Sequence, residues 1–302
     1  MKVLVTGGAG FIGSHIVDLL LKQGFEVIVA DNLSSGSKEF LPSQIKIYEV
    51  DILSKEMEQV ILQEQPNIII HQAAQVDVTK SLADPIHDFK TNALGTVQLL
   101  HAAQKAGVQK FIFSSSCAVY GDTKDNPIKE TFPVQPLSFY GLSKSLSERY
   151  TQLFNDLYDV KFTILRYANV YGPRQNSTGE GGVVSVFANK ILANESITVF
   201  GDGEQTRDFV FVKDVATANL LAIHNADNEI INIGCQSSVS INQLIETMSK
   251  VLNKEITPNY AQERIGDIKH SSLLINKANN ILKWNPKYSL EDGLIETIEY
   301  YR

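Results

Sequence analysis

The stretch Lys2-Val-Leu-Val-Thr-Gly-Gly-Ala-Gly-Phe-Ile-Gly-Ser-His-Ile-Val17 decides the fold. Its opening run, Lys2–Thr6, is short and mostly apolar, the pattern of a strand covered on both faces of a parallel sheet. Gly7-Gly8 cuts that run, and apolar residues then recur at helical spacing over Phe11–Gln23. Gly7, Gly10 and Gly13 stand at the strand-to-helix junction. There they permit a tight turn, a close approach of main chain to a pyrophosphate, and close packing of helix on sheet. The helix start at Phe11 and Ile12 then faces the phosphates with free N–H groups and the positive dipole end. A glycine turn can be only a turn, so context decides. Asp31 closes the second predicted strand, 18 residues after Gly13. A carboxylate placed there accepts both hydroxyls of a ribose and repels a 2′-phosphate. No Arg or Lys lies between 31 and 37, which favours NAD(H) over NADP(H).

Outward from this junction, Glu26–Ala30, Ile45–Tyr48, Asn67–His71, Lys110–Ser114 and Lys161–Arg166 read as further strands. Ser54–Glu64, Pro85–Lys105 and Tyr140–Leu157 read as the helices between them. A β-α-β series of this kind predicts an α/β fold, a Rossmann-type doubly wound parallel sheet. Beyond about Gly172 the order changes to a helix near Val183–Ala193 and strands at Ile197–Phe200, Asp208–Val212 and Glu229–Ile233. The expected division is a dinucleotide-binding domain over 1–170 and a smaller α+β substrate lobe over 171–302, with 209–233 returning to the main sheet. Six of the 19 glycines fall between Gly7 and Gly36 and six more between Gly172 and Gly203, so unusual backbone is concentrated in both parts.

Composition narrows the function. With 43% hydrophobic and 20% charged residues the chain can bury a sizeable core, which excludes a disulfide-stapled mini-protein and wholesale disorder. Its 27 basic against 34 acidic residues leave a net charge of −7, which argues against nucleic acid but allows a local anion pocket. No window reaches the roughly 18 uninterrupted apolar residues of a membrane span, and the first apolar run is too short for a secretory signal. With that start and only Cys117 and Cys235, a cytoplasmic location and two reduced thiols are expected. The six histidines show no ligand spacing, so no protein-held metal is expected.

Tyr140 and Lys144 are four apart on one predicted helix and share a face. An ammonium beside a phenol favours the phenolate, and NAD⁺ adds a second positive charge, so the tyrosine is expected to titrate nearer working pH. Such a tyrosine can take a proton from a sugar hydroxyl while the same carbon gives up hydride. Ser116 is expected at the C-terminal edge of the Lys110–Ser114 strand, where open α/β sheets place ligands. Cys117 reads as a small residue facing the core. Asp51 and Ile52, after the third strand, are candidates for an adenine contact, with helix capping nearby as the plain alternative. Arg207 and Arg264 lie in Gly-containing turns and suit a forked grip on a diphosphate, although each has a carboxylate neighbour, Asp208 or Asp267.

These segments together resemble the extended short-chain dehydrogenases/reductases, and among them the nucleotide-sugar 4-epimerases. The resemblance is carried by Thr6–Gly13, Asp31-Asn-Leu-Ser-Ser-Gly36, His71-Gln-Ala-Ala74, Asn92, Ser114-Ser-Ser-Cys-Ala-Val-Tyr-Gly121, Tyr140-Gly-Leu-Ser-Lys144, Asn169-Val-Tyr-Gly-Pro-Arg174 and Arg264-Ile-Gly-Asp267. It covers nearly the whole chain. It implies Ser116, Tyr140 and Lys144 as catalytic residues. It implies NAD contacts from Gly7, Gly10, Phe11, Ile12, Gly13, Asp31, Asn32, Ser35, Gly36, Asp51, Ile52, Gln72, Ala73, Ala74, Gln75, Asn92, Ser114 and Tyr167, besides Tyr140 and Lys144. For a UDP-sugar it implies Asn169, Val183, Val184, Val199, Phe200, Arg207, Arg264, Asp267 and Ser271, with Ser116 and Tyr140. The implied reaction is 4-epimerisation of UDP-Glc/UDP-Gal through a 4-ketosugar. Cys117 and Ala118 stand where relatives that dehydrate or decarboxylate carry an acid, and Arg174-Gln-Asn-Ser-Thr178 departs from the uronate epimerase pattern. Ser271 occupies a position beside sugar C2 where a Tyr excludes N-acetyl groups, so UDP-GlcNAc/UDP-GalNAc are expected substrates too, unless other side chains restrict the pocket. A nucleotide-sugar reductase and a non-enzymatic NAD sensor are the competing readings. A homodimer through helices near Pro85–Lys105 and Tyr140–Leu157 is the family-level expectation.

Overall fold

Seven strands, all parallel, make the central sheet of the computed structural model, which describes residues 1–123, 126–177, 182–263 and 268–302. The first half runs β1 (Lys2–Thr6), α1 (Phe11–Lys22), β2 (Glu26–Asp31), β3 (Lys46–Glu49), α2 (Lys55–Glu64), β4 (Ile68–His71), α3 (Val78–Ala83), α4 (Pro85–Asp88), α5 (Gly95–Lys105), β5 (Lys110–Ser116), α6 (Phe139–Tyr158) and β6 (Lys161–Tyr167). There follow β7 (Asn169–Tyr171), α7 (Val183–Leu192), β8 (Thr198–Phe200), β9 (Thr206–Arg207), β10 (Phe209–Phe211), α8 (Val212–Ala222) and β11 (Glu229–Ile233). The chain continues with β12 (Val239–Ser240), α9 (Ile241–Leu252), β13 (Asn259–Ala261) and α10 (Leu290–Tyr301). The sheet order is β11-β6-β5-β4-β1-β2-β3. The order reverses at β1, whose neighbours are β2 and β4, and the crevice beyond their C-terminal ends is where doubly wound sheets take ligands.

Both faces of the sheet are covered, which is why its strands read as continuous apolar runs. On one face Val3, Val5, Val29 and Ile70 pack with Ile16, Val17 and Leu20 of α1 and with Val215 and Ala218 of α8. On the other, Leu4, Ile28, Ile69 and Phe111 meet Met57 and Ile61 of α2 and Leu99 and Leu100 of α5. A third apolar cluster, around Tyr171, Phe187, Phe209, Phe211, Leu244, Met248 and Leu294, builds the smaller lobe from α7, α9 and α10.

Two expectations are corrected. The stretch around Asp208–Val212 does not enter the main sheet: β10 pairs with β7 in a two-stranded sheet, and only Glu229–Ile233 joins β6. The helix expected over Pro85–Lys105 is continuous but not α-helical throughout. Phe89–Leu94, between α4 and α5, is a π-helical turn that widens the coil at Asn92.

One ionic cluster closes the end of the sheet away from the crevice. The buried Glu64 carboxylate accepts from Lys46 Nζ at 2.6 Å, Lys2 Nζ at 3.3 Å and the Tyr48 hydroxyl. These partners, Lys46 and Tyr48 foremost, hold it at about 2 against an ordinary 4.5. A carboxylate lowered in the folded state contributes stability above its unfolded value and loses it as pH falls through the folded one. Glu64→Gln is therefore expected to lower the melting temperature at pH 7, with a deficit that shrinks below pH 4.5 and closes near pH 2. A deficit of constant size across that range would contradict this role.

Candidate active site

The glycine turn is built so that nothing larger fits. Gly7 has φ +67°, and a Cβ added there would stand 2.6 Å from the Ala73 nitrogen. At Gly13 the same atom would lie 2.0 Å from the Gly7 carbonyl oxygen. Gly36 presses on the turn from the β2 side, where a Cβ would meet Ala9 O at 2.6 Å and the Ser37 N–H donates to that same oxygen at 2.9 Å. Asp31 is 7% exposed and accepts from the Ala9 N–H at 2.9 Å and the Leu33 N–H at 2.8 Å, so its carboxylate ties the glycine turn to the end of β2. Helix α1 starts at Gly10 with no side-chain cap. Its first N–H groups therefore point into the crevice without a competing side-chain acceptor, which suits a dinucleotide phosphate. Asn32 donates to Asp51, and Asp51 accepts the Leu53 N–H, both at 2.8 Å. Ser35 is exposed on the same rim. Ile52 departs from expectation: its side chain is buried against Gly95 of α5, so it offers a ligand at most its main chain.

Behind the crevice lies a directed chain of buried hydrogen bonds. His71 is fully enclosed, and burial holds it neutral, down at about 3. Its Nδ1 pairs with Thr6 Oγ1 at 2.7 Å and its Nε2 with Thr96 Oγ1 at 3.1 Å. Thr96 spends its one hydroxyl proton on the Asn92 carbonyl at 2.6 Å, so His71 Nε2 must donate and Nδ1 must accept from Thr6. Ser147 on α6 also donates to the Asn92 carbonyl, at 3.0 Å. The π-helical turn is thus fastened to both β4 and α6. The Asn92 side chain accepts the Gln75 N–H at 2.9 Å, and its two amide hydrogens are shared among Gln75 O at 2.9 Å and Asp88 Oδ1 and Ser143 Oγ, each at 3.1 Å. Gln72 and Asn219 both donate to the Tyr167 hydroxyl, at 3.2 and 2.8 Å, and so anchor the segment Gln72, Ala73, Ala74, Gln75.

The three residues expected to react stand on this frame. Ser116 ends β5, Tyr140 and Lys144 come from the first turns of α6, and Ser138 caps that helix by accepting the Gly141 N–H at 3.1 Å. Ser114 donates to His71 O at 2.9 Å, while its own carbonyl takes the buried Lys144 ammonium at 2.9 Å. Lys144 Nζ also lies 5.1 Å from the Phe113 ring centre and 5.9 Å from that of Tyr140. The Ser116 side chain acts on the Tyr140 hydroxyl, favouring its ionised form. The expected lowering of the phenol is not what these residues produce by themselves. Burial pushes Tyr140 up to about 12, against the Ser116 hydrogen bond, and brings Lys144 down to about 8. Cys117 opens a short 3-10 turn instead of continuing the strand, and its thiol reaches the Ser116 and Ser271 side chains while burial raises it. Both cysteines are free thiols.

On the facing lobe, Ser271 is buried beside Cys117, its N–H held by the Thr206 carbonyl at 3.3 Å. Phe200, Gln205, Lys269 and His270 line a cavity of about 400 Å³. Val184 and Val199 are corrected: both are core residues, 1% and 2% exposed, and alternation along β8 leaves Phe200, not Val199, on the cavity. Val183 is half-buried against the same core, and Asn169 stands half-buried on β7. Asp208 does not neutralise Arg207. Its carboxylate is taken by the N–H groups of Cys235, Gln236 and Leu273, and Arg207 Nη1 donates to Thr206 O at 2.9 Å. Arg264 and Asp267 lie outside the described residues. Asp88, Thr96, Ser143 and Asn219 were not singled out from the sequence. Only the i, i+4 pairing of Asp88 with Asn92 on one predicted helix face hints at a buried polar cluster.

Among the described residues no helix is long and apolar enough to cross a membrane. A model of the NAD dependent epimerase/dehydratase family matches residues 3–234. A putative UDP-glucose 4-epimerase from Methanocaldococcus jannaschii is 42% identical over 301 residues, covering 99% of this chain and 98% of that one. Among solved structures, UDP-glucose 4-epimerase from Thermotoga maritima, with UDP-glucose, superposes with a TM-score of 0.97 at 46% identity, covering 100% of this chain and 98% of that one. UDP-N-acetylglucosamine 4-epimerase from Methanobrevibacter ruminantium, in complex with UDP-N-acetylmuramic acid, has a TM-score of 0.95 at 37% identity, over 99% and 97% of the two chains.

The buried chain makes its own prediction. Thr96→Val keeps shape but strands the His71 N–H and takes from the Asn92 carbonyl its shorter hydrogen bond, and is expected to cost about 1–3 kcal/mol in denaturant unfolding with an unchanged slope. A loss below about 0.3 kcal/mol would show that the chain is dispensable.

Proposed function

The chain belongs to the NAD dependent epimerase/dehydratase family, and from that footing we propose that it is a UDP-hexose 4-epimerase that works on UDP-Glc/UDP-Gal and also on UDP-GlcNAc/UDP-GalNAc. The observation that carries the reading is the meeting of Ser116, Tyr140 and Lys144 at the C-terminal end of β5, beside the glycine turn, with no carboxylate at Cys117 or Ala118. Three such groups can move one proton and orient one hydroxyl. Dehydration or decarboxylation needs a further acid or base.

Gly7, Gly10, Gly13 and Asp31 would hold the dinucleotide, the last through its ribose, while Tyr140, Lys144 and the Gln72–Gln75 segment would lie toward its nicotinamide end. Bound NAD⁺ supplies a hydride acceptor at sugar C4 and a positive charge that offsets the desolvation keeping Tyr140 protonated. Tyr140 takes the proton from the C4 hydroxyl, and Ser116 shares its hydrogen bond and orients the oxygen. Lys144 keeps positive charge beside the phenol and fixes the Ser114 carbonyl. After the 4-ketosugar turns over, Tyr140 returns its proton to the oxygen as hydride arrives on the opposite face of C4. Arg207 and Arg264 are the proposed grip on the diphosphate and Phe200 the wall against the base. The small buried Ser271 leaves room beside the sugar.

The proposed assembly is a homodimer. Val78, Leu82, Ile86 and Phe89 are exposed on one side of the crevice, and Leu142, Leu153 and Leu157 are exposed along α6. Apolar surface of this extent suits a partner copy. Light scattering is expected to give twice the chain mass, and Leu153→Glu to shift it to the monomer. A monomeric wild type would contradict the dimer.

Purified protein is expected to carry NAD⁺ and to interconvert UDP-Glc and UDP-Gal with none added; stoichiometric NADH consumption would identify a reductase instead. Ser271→Tyr is expected to depress N-acetyl turnover at least about tenfold more than hexose turnover. Equal losses on both would sink the Ser271 gate.

A further inference from the structure

The π-helical turn carries a buried charge that the mechanism above does not use. Asp88, the last residue of α4, is 1% exposed. Its Oδ1 accepts from Gln75 Nε2 at 2.9 Å and from Asn92 Nδ2 at 3.1 Å, both neutral carboxamides, and its buried Oδ2 has no hydrogen-bond partner among the described residues. A carboxylate taken out of water costs several kcal/mol, at about the scale of a buried ion, unless a positive charge lies close. The positive charge within its field is Lys144, and Tyr140 feels Asp88 as well. The other charged and titratable groups around Lys144 are accounted for. Glu148, one turn further along α6, also raises Lys144, but it is held by Arg166 at 2.5 Å and by Ser115. His71 on β4 is neutral, and Cys117, beside Tyr140, is a protonated thiol. Nearer the surface, the Asp77 carboxylate caps α3 through the Lys80 N–H at 2.6 Å, and Asp84 caps α4 through the His87 N–H at 2.9 Å.

We propose that Asp88 is a positioning residue for the epimerisation: its buried carboxylate, tied through Asn92 to Ser143 at the start of α6, is the counter-charge of the Lys144 ammonium on that same helix. The same carboxylate aims the Asn92 carboxamide at Ser143, the neighbour of Lys144 on α6. The π-helical turn thus delivers a charge to the reacting pair as well as a hydrogen bond. This inference rests on the epimerase reading above.

The test uses the NAD⁺-loaded protein and two readouts. One is the acid limb of kcat/KM for UDP-Glc against pH. The other is the tyrosinate absorbance titration that disappears in Tyr140→Phe. Asp88→Asn keeps shape and hydrogen bonding but removes the charge, so both midpoints are expected to move to lower pH by about half a unit or more. Asp88→Glu, which keeps the charge, is expected to titrate like the wild type. Midpoints unchanged in a folded Asp88→Asn protein would overturn the proposal. Should that variant fail to fold, Asp88→Ser carries the same expectation and the same refutation. A wild type that neither epimerises nor shows a Tyr140-dependent titration overturns the epimerase reading itself, and the inference falls with it.

Discussion

No side chain fits between Gly7 and the main chain that follows β4. That single close approach, with a would-be Cβ at 2.6 Å from the Ala73 nitrogen, joins the two central strands at the point where the sheet order reverses. Gly13 seats α1 on the same spot, and Asp31 and Gly36 bind the end of β2 to it. The crevice exists because these four residues allow backbone to lie on backbone. A cofactor phosphate then meets N–H groups that no side chain has already claimed.

The proposed catalytic groups are tied to that frame through buried polar contacts. Ser114 links Lys144 to His71; His71 links β1 to the π-helical turn through two threonines; Asn92 links the turn to α6. Each bond contributes little by itself, but each buried partner left alone is expensive, so the chain selects one arrangement over its neighbours. Rigidity of that kind suits a site in which one phenol must serve a proton on either face of a sugar.

Much of this was legible in the sequence. The glycine spacing, the acid ending β2, and the Tyr140/Lys144 pair on one helix face are short-range patterns, and short-range patterns follow from backbone geometry. What the residues alone did not disclose is what depends on burial. Lys144 next to Tyr140 suggests a lowered phenol, yet in the fold desolvation raises it, against the Ser116 side chain. Val199 and Phe200 are adjacent in sequence, but only the strand's facing decides which one meets the cavity. Phe209–Phe211 reads as a strand and is one, though its partner is β7. The π-helical turn inside the predicted Pro85–Lys105 helix has no proline or glycine pair to announce it; there the Asn92 carbonyl takes the Thr96 hydroxyl and lies within reach of the Ser147 hydroxyl.

The central claim is that Tyr140 moves a proton while C4 itself loses and regains the same hydride within a closed site. It is tested most directly by following UDP-glucose deuterated at C4 through one equilibrium in ordinary water and reading the product by NMR. The account predicts that the deuterium remains on C4 of both epimers, with no label passing to solvent. Loss of deuterium to water at the rate of epimerisation would contradict it, because the hydrogen would then be leaving as a proton.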